Sequence, residues 1–254
     1  MATPRESRRG GMTSLPQMLP NIMTLMAICA GLTAIRFAVQ GRFDLAVSLI
    51  LVAAVLDGLD GRLARMLKTE SQIGAELDSL ADFVNFGVAP GLLVYLWALQ
   101  DARSEGWIAV LIYVICCVMR LARFNVDSRN PEMQTQARKG FVGVPSPAGA
   151  LLVLTPFFIW REFPGLSKAP ELVVVVVLIG VGFLLISRIP TPSLKSVSIP
   201  AGKVRYLMVG LVAVVAAAFT WPWAVLSIAA LGYFGLVLVQ AVRSLRGKTE
   251  THLE

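Results

Sequence analysis

The chain has 254 residues, of which 56% are apolar and 15% charged, against about 25% charged in soluble domains; this excludes a water-soluble globular protein and leaves one embedded in a membrane. The formal net charge of +7 does not indicate nucleic acid, because the basic residues punctuate apolar runs instead of clustering among aromatics on one segment. Cys29, Cys116 and Cys117 are odd in number, lie inside apolar runs and form no C-x-x-C pair, which excludes a disulfide framework and a zinc site and reads as small buried hydrophobes.

Residues 1–19 carry Arg5, Arg8 and Arg9 among Pro4, Gly10, Gly11 and Pro16, and no small-residue cleavage site follows the first apolar run, so that run reads as retained. The segment either lies along the inner leaflet or is loose. Eight apolar segments follow, at 21–39, 44–67, 76–99, 107–124, 146–160, 171–187, 205–220 and 222–241, each read as a membrane-crossing helix. The fold expected is therefore an all-α integral membrane protein of about eight transmembrane helices. Assigned to alternate sides, 18 of the 23 Lys and Arg residues fall on one side, and only Arg36, Arg42, Arg103, Arg161 and Lys168 on the other. Because cytoplasmic loops are enriched in basic residues, both termini are expected in the cytoplasm. The organisation read from this is an N-terminal segment 1–19, a core over 20–200, two additional C-terminal helices over 201–243 and a cytoplasmic tail 244–254.

Residues 57–82, D-G-L-D-G-R-L-A-R-M-L-K-T-E-S-Q-I-G-A-E-L-D-S-L-A-D, break the apolar pattern. Charged side chains within membrane segments are costly and mostly functional. On helices, Asp57, Asp60, Gly61, Ala64 and Arg65 share one stripe, and Gly74, Asp78 and Asp82 a second. Two antiparallel helices joined near Lys68–Ser71 then bring four carboxylates together at the cytoplasmic membrane face. Such carboxylates repel one another unless cations are present, and all-oxygen ligation suits Mg²⁺ or Mn²⁺. Gly58, Gly61, Ala64 and Gly74 leave room for a bulky group such as a nucleotide diphosphate, and Arg65 offers a bidentate donor to phosphate. Two other readings compete. The aspartates could form an interfacial ion cluster with Arg62, Arg65 and Lys68, or the acidic site of a transporter, which would lie at mid-bilayer on discontinuous helices and not at helix ends.

The pattern D-x-x-D-G-x-x-A-R, eight residues, then G-x-x-x-D-x-x-x-D resembles the signature of the CDP-alcohol phosphotransferases, integral membrane enzymes that displace CMP from a CDP-alcohol with the hydroxyl of a second alcohol. The resemblance implies a six-helix catalytic core and divalent metal as cofactor, as two ions. It also implies that Asp57, Asp60 and Asp78 bind the metals and that Asp82 approaches them and acts as general base. Gly58, Gly61, Arg65 and Ser71 then contact the CDP moiety. P-N-I-M-T at 20–24 resembles the family's first-span start beside the nucleotide, which makes Asn21 and Thr24 CDP contacts, local capping being the alternative.

D-S-L-A-D-F-V-N-F-G-V-A-P at 78–90, R-L-A-R-F-N at 120–125, G-V-P-S-P at 143–147 and, less closely, R-I-P-T-P-S-L-K at 188–195 resemble the membrane-embedded bacterial subgroup that uses serine as acceptor. This implies CDP-diacylglycerol and L-serine as substrates, membrane lipids as surroundings, no nucleic acid, a homodimer and a location in the bacterial inner membrane. A serine carboxylate needs a cation, for which Arg120, Arg123 and Arg138 or Lys139 are candidates, with Asn125 as a polar contact; ordinary positive-inside anchoring competes. The same-class alternatives take glycerol phosphate, inositol phosphate or choline.

Overall fold

The structure is a computed structural model that describes residues 15–67, 69, 71–129, 141–187, 190–191 and 204–250. Its helices are α1 (Leu15–Val39), α2 (Phe43–Leu67), α3 (Gln72–Leu99), α4 (Arg103–Arg129), α5 (Ser146–Val153), α6 (Thr155–Glu162), α7 (Glu171–Ile186), α8 (Val204–Thr220) and α9 (Pro222–Glu250). A two-residue antiparallel pairing of Phe141–Val142 with Pro190–Thr191 is the one β element among the described residues. Met18–Val39, Gln72–Leu99, Ser104–Ser128 and Pro222–Arg243 are long and apolar enough to cross a membrane, and Glu171–Ile186 and Met208–Thr220 are shorter apolar helices. The protein is thus an all-α integral membrane protein, in which helices satisfy their own backbone hydrogen bonds away from water.

Small residues line the contacts. Ala27, Gly31, Ala34 and Ala38 form the buried stripe of α1, which packs along α2 through Ala46, Val47, Ile50 and Ala53. Large apolar side chains such as Leu32, Val55 and Val176 point outward. Small-in, large-out is the pattern of helices that approach closely within lipid. α4 packs chiefly on α7, and α9 on α6 and α5. Trp97, Phe157, Trp160 and Trp223 interlock at one end of the bundle. At that end Arg161 pairs with Asp44 at 3.0 Å, and Lys168 Nζ donates to the Trp97 carbonyl at 3.2 Å.

Three of the segments depart from the simple spans read from the sequence. The segment 146–160 is divided at Leu154 into α5 and α6, where Pro156 cannot donate back into the preceding turn. α3 is continuous but carries two π-helical stretches, Phe83–Val88 and Tyr95–Leu99. Pro90 removes the N–H that an α-helix would aim at the Phe86 carbonyl, and the buried Tyr113 hydroxyl of α4 donates there instead, at 2.5 Å. α9 runs on to Glu250, into the stretch read from the sequence as tail.

Candidate active site

The second half of α2 supplies Asp57 and Asp60, and the first three turns of α3 supply Asp78 and Asp82. One oxygen from each of Asp57, Asp60 and Asp78 lies within 4.8 Å of the others, a separation that one cation can bridge. The trio grades from exposed Asp78 through half-buried Asp57 to buried Asp60. Asp82 sits behind it. Its carboxyl lies against that of Asp57 and within electrostatic reach of Asp78 and Arg120. Asp60 Oδ1 and Asp82 Oδ1 are shielded from solvent with no hydrogen-bond partner among the described residues, an arrangement that leaves charge uncompensated.

Among the described residues no Lys or Arg forms an ion pair with these aspartates. Arg65, one of the proposed partners in the ion-cluster reading, turns its Nε to the Gly61 carbonyl at 3.0 Å, while Lys68 lies outside the described residues. Neighbouring carboxylates with no ion pair among the described residues fit a divalent cation held by oxygen ligands, and Asp57, Asp60 and Asp78 offer such a donor set.

Around the aspartates the other sequence candidates separate by role. A Cβ built on Gly58 or Gly61 meets nothing within 4 Å, so both border open space beside the carboxylates. Gly74 differs, since its Cβ would come to 3.0 Å from Asn21 Oδ1 and 3.1 Å from Ser71 Oγ; glycine there lets the start of α1 approach α3. Ser71 caps α3, its Oγ accepting the Gly74 N–H at 3.0 Å. Thr24 is buried, and its hydroxyl donates to Asp60 Oδ2 at 2.6 Å, with the Pro20 carbonyl 3.1 Å away. Thr24 therefore orients a carboxylate of the trio.

Of the residues read as serine contacts, Arg120, Arg123 and Asn125 lie on the C-terminal half of α4. Arg120 Nε donates to the Val144 carbonyl at 2.6 Å and Nη1 to Ser146 Oγ at 2.5 Å, and Asp82 lies within electrostatic reach of the guanidinium. Arg123 Nη2 donates to the Ile186 carbonyl at 3.0 Å. Asn125 Nδ2 donates to Ser79 Oγ at 2.9 Å, tying α4 to α3 at the residue after Asp78. Lys139 and Arg138 lie outside the described residues. Ser79, Ser146 and the Val144 carbonyl were not singled out from the sequence as partners; G-V-P-S-P and D-S-L-A-D contained them without revealing whom they would meet.

The description that matches the chain is CDP-alcohol phosphatidyltransferase, over residues 17–188. The chain is 43% identical over 214 residues to the CDP-diacylglycerol–serine O-phosphatidyltransferase of Mycobacterium leprae, covering 83% of this chain and 71% of that one. It is 34% identical over 180 residues to the protein of that name from Helicobacter pylori, covering 71% and 74%. With the Bacillus subtilis protein of that name identity is 35% over 179 residues, covering 70% and 91%. The aspartates meet as the signature demands and the match runs from α1 through α7, so the chain belongs to the CDP-alcohol phosphatidyltransferase family.

Proposed function

We propose that the protein transfers the phosphatidyl group of CDP-diacylglycerol to the hydroxyl of L-serine, releasing CMP and forming phosphatidylserine. The observation that carries this is the trio of Asp57, Asp60 and Asp78 with Asp82 behind it, next to Arg120; the acceptor rests on relatives named for serine that share 34–43% identity. Asp57, Asp60 and Asp78 would hold Mg²⁺ or Mn²⁺, as two ions, with Asp82 contributing from below. Divalent metal bound there supplies neutralisation of the diphosphate and of the charge that develops on the leaving phosphate. Asp82 takes the proton of the serine hydroxyl through its unpartnered Oδ1. The serine oxygen bonds to the lipid-linked phosphorus while the bond from that phosphorus to the CMP oxygen breaks. Gly58 and Gly61 leave the space for the nucleotide, Arg65 with Asn21 and Ser71 contacts it, and Arg120, Arg123 and Asn125 border the acceptor.

This reading puts the protein in the bacterial inner membrane with the site and both termini cytoplasmic, where serine is dissolved and the released CMP departs. It also takes the protein as a homodimer, for which exposed Gly232 and neighbouring Gly235, with nothing near an added Cβ, allow close helix approach. Purified enzyme given CDP-diacylglycerol and labelled L-serine, glycerol phosphate, inositol phosphate or choline tests the reaction. Serine-dependent CMP release with formation of labelled phosphatidylserine is expected; release with glycerol phosphate and none with serine would overturn the acceptor.

A further inference from the structure

The C-terminal helix α9 carries no motif and lies beyond the residues 17–188 that match the family. It nevertheless packs on α5 and α6 and touches Pro190–Thr191, and so borders the segment that holds Arg120. Tyr233 of α9 rests its ring against the core. Its hydroxyl is shielded from solvent and has no hydrogen-bond partner among the described residues, and it lies within electrostatic reach of Arg120. Arg120 is itself fixed by its bonds to Val144 and Ser146, and its other charged neighbours are Asp82 and Arg123. A shielded phenol beside a pinned guanidinium forfeits a hydrogen bond unless a third group completes the arrangement. An anion between them does so, accepting from the phenol and the guanidinium together.

We propose that Tyr233 and Arg120 form the subsite for the acceptor's carboxylate, so that the C-terminal helix takes part in acceptor choice. The proposal rests on the serine reading above. In serine two carbons separate the hydroxyl oxygen from the carboxylate carbon, so the group that takes the proton and the group that grips the carboxylate must be neighbours. Asp82 and Arg120 are such neighbours. A neutral phenol adds a donor without adding a second positive charge, which suits a singly charged carboxylate better than a phosphate.

The test uses the full-length enzyme in mixed micelles. Tyr233→Phe is expected to raise the KM for serine about tenfold, the loss of one charge-assisted hydrogen bond, while the KM for CDP-diacylglycerol stays within about twofold. Preference for L-serine over serinol, in which a hydroxymethyl group replaces the carboxylate, is expected to fall by the same factor. Tyr233→His, which keeps a ring donor, should recover part of both. A serine KM unchanged in Tyr233→Phe, or an equal rise in both KM values, overturns the proposal. So does a wild-type enzyme that uses serinol as well as serine, a result that needs no variant to fold. Wild-type enzyme that releases no CMP with serine overturns the serine reading itself, whereas activity with serine and an unaffected Tyr233→Phe overturns this proposal alone.

Discussion

At the residue scale, the site depends on groups that hold the aspartates as well as on the aspartates. Asp60 is buried, and one of its oxygens accepts from Thr24 while the other is left open. A donor behind a ligating carboxylate fixes its orientation, and removing such a partner weakens metal binding by about 10–100-fold. Thr24→Val keeps the shape and removes the donor, so the half-saturating Mg²⁺ or Mn²⁺ concentration for CMP release is expected to rise about tenfold or more, with Thr24→Ser close to wild type. An unchanged metal titration would show that Thr24 does not serve Asp60. From the sequence, Thr24 stood as a nucleotide contact or a local cap; its partner 36 residues away depends on how α1 lies on α2, which a spacing within one helix does not contain.

At the scale of elements, Arg120 of α4 is anchored by the turn that leads into α5. Gly143 has φ +85°, and a Cβ there would stand 2.7 Å from the Ser187 carbonyl oxygen and 3.0 Å from that of Leu185. It therefore lets the chain run close against the end of α7 just before Val144 and Ser146 receive Arg120. Gly143→Ala meets both a left-handed backbone and a carbonyl, and is expected to cost about 2 kcal/mol or more, read as a lower melting temperature in detergent; a melting temperature equal to wild type would contradict this packing. G-V-P-S-P holds the turn-forming Gly143 and Pro145 in consecutive sequence, but its closing partner lies at the end of α7. The π-helical stretch after Asp82 is similar: Pro90 was visible, whereas the Tyr113 hydroxyl that takes over its missing bond comes from α4.

At the scale of the whole molecule, the two ends of the bundle differ in the basic residues they hold. Arg161 and Lys168 are held at the aromatic end of the bundle, whereas Arg120 and Arg123 sit at the end of the aspartates. With Cys29, Cys116 and Cys117 replaced by Ala, a cysteine at Ser167 is expected to react with a membrane-impermeant maleimide in intact cells, and one at Ser7 only after lysis. The reverse pattern would invert the cytoplasmic placement of the site.

Sequence alone determined the all-helical membrane class and the four aspartates, because apolar run length and a helical spacing of three and four are local properties, written into consecutive residues. Only the tertiary structure decided which carboxylates form the open trio, that Thr24 serves Asp60, that Arg120 is anchored on the turn before α5, and that a tyrosine from α9 comes beside it. Those relations are contacts between helices far apart in the chain, fixed by how small-residue stripes let the helices approach, and no single stretch of sequence carries them.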